Sequence, residues 1–126
     1  MADGPRLICA SPDLNDAGKG VRFTLRTDPR TGFEQTGFAV RYRGKVCAYV
    51  NRCPHQGTEL DWQQGEFFEE TGLYLVCSTH GAIFQPESGF CVAGPCRGAS
   101  LEQLRIREQE GQVFLVDPPD NHIEAP

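Results

Sequence analysis

Two short segments constrain this chain more than anything else in it: Cys53-Pro54-His55 and Cys77-Ser78-Thr79-His80. Each pairs one cysteine with one histidine, and each follows directly on a strand-like run. A thiolate and an imidazole a residue or two apart can ligate from a single loop, and two such loops side by side make a four-ligand site. Any fold for this chain must therefore bring the end of one strand beside the end of another. The donor set suits tetrahedral zinc. It equally suits a two-iron cluster in which two cysteines hold one iron and two histidines the other. Zinc sites usually draw both cysteines from one knuckle and both histidines from another, so the mixed loops argue for the cluster. Gly57 and Gly81 follow the two histidines, and glycine lets backbone amides approach and hydrogen-bond cluster sulfur.

Composition narrows the class. With 126 residues and 39% hydrophobic, the chain suits one domain with a real core. No apolar run approaches the roughly 18 residues of a membrane span. The start Met1-Ala2-Asp3-Gly4-Pro5 lacks the basic and apolar stretches of a secretory signal, so the expected location is the cytoplasm. A net charge of −5 with mixed signs leaves no Lys/Arg stripe, which argues against a nucleic-acid partner. Six cysteines without a secretory signal point to metal or redox chemistry rather than a disulfide framework. Of three histidines, only His122 stands outside the paired segments, in a tail over 117–126 that reads as frayed.

No segment holds a helical period; short β-type runs between turn signals dominate. Strands are expected at Leu7–Ala10, Val21–Arg26, Phe38–Tyr42, Val46–Val50, Leu73–Val76, Ala82–Phe84, Phe90–Val92, Leu104–Arg107 and Val113–Val116. Arg43-Gly44-Lys45 is expected as a hairpin connection, Gln85 to Gly89 as a turn, and one short helical turn near Thr58–Gln64. The reading is an all-β domain of nine or ten short strands, a sandwich or small barrel.

Cys53-Pro54-His55-Gln56-Gly57 followed by Cys77-Ser78-Thr79-His80-Gly81 resembles the Rieske cluster-binding signature. Phe84, the Gly89 turn and Gly94-Pro95 resemble that family's second and third loops. Motifs carry the resemblance over about 46–98, and strand pattern extends it to about 7–116. It implies a Rieske-type β-sandwich base with an inserted smaller cluster-binding subdomain. The base would come from about 7–46 and 98–116, the insert from about 47–97, within a single domain spanning 1–126. It implies one [2Fe-2S] cluster per chain, with Cys53 and Cys77 on the inner iron and His55 and His80 on the outer. The two histidines would lie at a partly exposed tip where the electron enters and leaves.

Where the chain departs from the respiratory members of that family, the resemblance implies a type. Those members carry a disulfide between the loops, at positions held here by Thr58 and Thr79. They also place hydroxyls where Ala82 and Phe84 stand. Each missing hydroxyl removes a hydrogen bond to sulfur that would favour the reduced cluster, which points to the lower part of the range of about −150 to +300 mV. The chain thus resembles the soluble ferredoxins of bacterial oxygenase systems, whose partners are a flavin-dependent reductase and a terminal oxygenase. No catalytic residue is expected. An oxygenase's mononuclear iron needs two histidines and a carboxylate, and only His122 is left over. The alternatives are a redox-sensing protein, a permanently bound small subunit of a larger oxidoreductase, and a structural zinc module.

Other residues take plainer readings. Cys9 and Cys47 lie in apolar strand runs and are expected in the core. Cys91 and Cys96 flank Gly94-Pro95 in a third loop that would cover the site. Their spacing alone does not fix disulfide geometry, so they are read as small side chains in a tight turn, with a redox-active pair or a disulfide that stiffens the loop as the alternative. Trp62 is expected to pack beneath the first loop. Glu59, Asp61, Glu66, Glu69 and Glu70 form an acidic segment open to a docking reading. Gln56 and Ala82, beside the histidines, are the expected partner contacts.

Overall fold

The computed structural model describes residues 6–54, 59–61, 65–77 and 81–116. These form ten strands: β1 (Arg6–Ala10), β2 (Val21–Thr27), β3 (Glu34–Tyr42), β4 (Lys45–Val50), β5 (Leu75–Val76), β6 (Ile83–Phe84), β7 (Cys91–Ala93), β8 (Gln103–Leu104), β9 (Ile106–Gln109) and β10 (Gln112–Leu115). A single 3₁₀ turn, Ser11–Asp13, follows β1, and no α-helix occurs among the described residues. The expected helical turn near Thr58–Gln64 and the tail over 117–126 fall largely or wholly outside them.

The strands make three antiparallel sheets, β1-β10-β9, β2-β3-β4-β8 and β5-β6-β7. The four-stranded sheet is the central layer because β3 and β4 are apolar on both faces. Phe38 pairs with Tyr49 and Val40 with Cys47, while Ala39 pairs with Ala48 between them. Alternation along a strand sends these pairs to opposite faces. Ala39, Ala48, Val50 and Leu104 meet Val113 and Leu115 of the β1-β10-β9 sheet in one buried cluster. Phe38, Val40, Cys47 and Tyr49 meet Leu75, Phe84 and Cys91 of the β5-β6-β7 sheet in another. The expected boundary between base and insert at 46/47 falls inside β4, which runs unbroken to Val50.

The floor of that second cluster is aromatic. Phe38 stacks on Phe67 with ring centroids 4.0 Å apart, and Tyr49 tilts against Phe38 at 5.8 Å. Fully burying each phenylalanine contributes roughly 1.5–3 kcal/mol. The Tyr49 hydroxyl donates to the Pro86 carbonyl at 2.6 Å, which satisfies its polar end inside the core.

Turn chemistry sets the hairpins. The β3–β4 connection is two residues, Arg43 and Gly44, one shorter than the expected Arg43-Gly44-Lys45. Both have positive φ, 53° and 80°, the pattern that matches the strands' own twist. Glu110 and Gly111 repeat it between β9 and β10, at 52° and 78°.

Candidate functional site

The first loop begins where β4 ends. Asn51 leaves the sheet with its backbone N–H donating to the Thr36 carbonyl at 2.8 Å, and its buried side chain closes the loop's neck. Asn51 Nδ2 donates to Asp61 Oδ1 at 3.0 Å, and Asn51 Oδ1 accepts from the Leu60 N–H at 2.9 Å. Asp61 is buried as well, and its second oxygen accepts from the Gly65 N–H at 2.9 Å and lies 3.6 Å from Arg22 Nε. Arg22 Nη2 reaches both oxygens of Glu59 at 2.8 Å, and Thr36 Oγ1 donates to Glu59 Oε2 at 2.8 Å. Buried polar groups persist only when partnered. This network therefore holds both ends of the Arg52–Glu59 segment against the central sheet and fixes Cys53 two residues past the neck.

The second loop joins β5 to β6. The Cys77 N–H donates to the Ala82 carbonyl at 2.9 Å, and the Gly81 N–H donates back to the Cys77 carbonyl at 2.8 Å. These two bonds clasp Cys77 to Gly81 and Ala82, with Gly81 at φ +75°. Cys53 and Cys77 are each 0% exposed and share one apolar cluster with Leu60, Ala82 and Phe84. The two thiols thus face a water-excluded region, as the inner half of a sulfur-ligated cluster requires. Among the described residues, no three His, Cys, Asp or Glu side chains are placed to hold one metal ion. His55 and His80 lie outside the described residues, as do Gln56, Gly57, Thr58, Trp62 and Thr79.

The third loop covers the second. Gly94, at φ +96°, brings its backbone so close to Ala82 that a Cβ there would meet the Ala82 Cα at 2.8 Å. Only glycine allows this approach. The loop is tied at its ends by Gly98 N–H to the Cys91 carbonyl, 3.1 Å, and Cys91 N–H to the Ala99 carbonyl, 2.8 Å. Inside it, Cys96 Sγ lies 2.9 Å from Cys91 Sγ, and Cys53 also acts on the Cys96 thiol. Burial first, then Cys91, pushes the Cys96 thiol up to about 12.

Several expectations change here. Ala82, expected as a partner contact, is 0% exposed beneath Gly94 and is a packing residue. Asp61 is buried in the neck network rather than offered for docking, while Glu59 joins that network but stays exposed, as do Glu66 and Glu70. Cys47 is buried and Cys9 half-buried, both in the core as expected, with their thiols raised by burial. Asn51 and Arg22 were missed. The available signal was an amide side chain at the end of β4, two residues before Cys53, where a ladder partner is lost.

The family model described as the Rieske [2Fe-2S] domain matches residues 6–115. Oxidoreductase NdmD of Pseudomonas putida is 32% identical over 89 residues, 64% of this chain but 14% of that protein, so the chain spans a small part of that relative's length. A Sphingomonas yanoikuyae B1 ferredoxin has a similar fold, with TM-score 0.69 and 22% identity, over 92% of this chain and 100% of that one. A chain of the complex of reduced oxygenase and oxidized ferredoxin in carbazole 1,9a-dioxygenase matches with TM-score 0.68 and 22% identity, over 91% and 94%. At these identities the structural likeness establishes the fold.

Proposed function

The chain belongs to the Rieske [2Fe-2S] domain family, and on that premise we propose that it is a one-electron carrier, a ferredoxin that takes an electron from a flavin-dependent reductase and delivers it to a terminal oxygenase. The observation that carries this reading is the pair of buried thiols, Cys53 and Cys77, at the mouths of two clasped loops in one apolar cluster. Full-length overlap with a ferredoxin and likeness to a chain of a ferredoxin–oxygenase complex support it.

In this reading Cys53 and Cys77 hold the inner iron and His55 and His80 the outer, and bound cluster supplies a one-electron couple. The chain's own residues shape that couple. Leu60, Ala82 and Phe84 exclude water from the cysteine side, and the Asn51–Asp61 neck fixes the first loop against the sheet. Ala82 and Phe84 are buried beside Cys77 and bring no hydroxyl to sulfur, which keeps the potential low. The β5-β6-β7 sheet with the loops around it, about 51–97, is the cluster-binding subdomain; β4 with the chain before it and about 98–116 form the base. The protein works in the cytoplasm and has no turnover of its own.

Iron and acid-labile sulfide analysis with electron paramagnetic resonance tests the cluster. The expected result is two irons and two sulfides per chain, with a signal that appears on reduction. Zinc without sulfide would overturn the reading. A redox titration should place the midpoint in the lower half of the range of about −150 to +300 mV, and the reduced protein should pass electrons to an oxygenase. A midpoint in the upper half would defeat the low-potential assignment.

A further inference from the structure

Six cysteines are free thiols in this fold, and five of them, Cys47, Cys53, Cys77, Cys91 and Cys96, lie in one buried cluster. Cys53 and Cys77 are the proposed ligands, Cys47 is a strand residue of the central sheet, and Cys91 and Cys96 have no role in that assignment. Cys96 Sγ lies 2.9 Å from Cys91 Sγ and shares the buried cluster with Cys53, which acts on its thiol. The Cys91 thiol donates elsewhere, to the Ala93 carbonyl at 3.2 Å. A sulfur bound to iron would carry thiolate charge, and charge-assisted bonds are roughly twice as strong as neutral ones. With a cluster in place, the Cys96 S–H would donate to Cys53 rather than to Cys91.

We propose that Cys91 and Cys96 are a reversible disulfide site packed against the cluster's inner side, and that closing it withdraws the Cys96 hydrogen bond from Cys53. The dithiol half of this inference stands on geometry alone; the coupling half rests on the Rieske reading. The loop is already held shut at its ends by Gly98 N–H to Cys91 O and Cys91 N–H to Ala99 O. Bonding requires the two sulfurs to approach by only about 0.9 Å, to the usual 2.03–2.05 Å. Cys53 cannot compete for the bond while iron holds it. The step balances with a low-molecular-weight disulfide such as oxidised glutathione. One of the two sulfurs attacks the reagent as its thiolate and expels one thiolate, and the other then attacks the mixed disulfide and expels the second. One S–S bond forms and one breaks; the two cysteine protons end on the two leaving thiols.

Hydrogen bonds to cluster sulfur stabilise the reduced state, so the disulfide form should have the lower midpoint. The test equilibrates holoprotein in glutathione buffers of rising oxidised fraction, then splits each sample. One half is denatured in acid, alkylated and mapped by mass spectrometry; the other is titrated electrochemically. The expected result is loss of two alkylatable thiols, a linked Cys91–Cys96 peptide, and a midpoint that falls in step and recovers with dithiothreitol. Cys91→Ala, which keeps the Cys96 thiol, should show the reduced-form midpoint and no response to the buffer. No linked peptide at any buffer composition would overturn the site, and a linked peptide with an unmoved midpoint would overturn the coupling. Absence of a cluster signal in fully reduced protein would instead count against the Rieske reading, and the peptide map would still decide the disulfide.

Discussion

Replacing Asn51 by alanine tests whether the first loop is held by its neck. The substitution leaves the Leu60 N–H without its acceptor at a residue that is 0% exposed. An orphaned buried donor costs about 1–3 kcal/mol. It also removes the 3.0 Å bond to the buried Asp61 carboxylate, and hydrogen bonds to charged groups are worth about 1.5–3 kcal/mol. Asp61 keeps Gly65 N–H at 2.9 Å and Arg22 at 3.6 Å, so the losses do not simply add. The expected destabilisation is about 2–4 kcal/mol, measured as the urea-unfolding difference between cluster-loaded wild type and Asn51→Ala at 25 °C. With a urea slope of about 2 kcal/mol/M, the midpoint should fall by about 1–2 M. Asn51→Asp sharpens the test, because it keeps an acceptor for Leu60 but sets a second carboxylate against Asp61. One of the two must then hold a proton, so its folded-state pKa lies above the unfolded one. The deficit is therefore present at neutral pH and disappears as pH falls below the unfolded carboxylate value. Asn51→Ala within about 0.5 kcal/mol of wild type would refute the reasoning, since water would then be serving Leu60 and the neck would not be closed.

Two further substitutions probe the base and the third loop. Glu108 accepts from Arg41 Nη2 at 2.6 Å, and that bond lowers its pKa from 4.5. Its contribution is present above the unfolded value and lost as pH falls through the folded one. The stability advantage of wild type over Glu108→Gln should accordingly be largest above pH 4.5 and shrink below it; a difference independent of pH would exclude the ion pair as its cause. Gly94→Ala forces a Cβ to 2.8 Å from the Ala82 Cα at φ +96°, an overpacking that costs about 1–3 kcal/mol. It should lift the third loop and speed iron loss to a chelator, and an unchanged rate would mean that this loop does not cover the site.

The hairpins were legible because their causes are local. Arg43-Gly44 and the alternation Phe38-Ala39-Val40 against Cys47-Ala48-Tyr49 declare a turn and two opposed faces without reference to any distant segment. The Cys-x-His and Cys-x-x-His loops were legible for a similar reason: ligands sharing one loop are close by chain connectivity, and the glycines beside them mark where backbone must come near. By itself, then, the sequence determined most of the strand segments, the all-β class and the four candidate ligands, while the expected strand Leu104–Arg107 is divided between two sheets as β8 and β9. It did not reveal that Asp61 is buried or that Ala82 lies beneath Gly94, because an exposed acidic loop and a buried carboxylate with partners have the same local composition. Nor did the four residues between Cys91 and Cys96 show that their sulfurs meet. Those facts depend on how three loops stack on one face of the central sheet. Stacking is set by contacts between segments far apart in the chain, to which short-range periodicity is blind, so only the tertiary structure decided them.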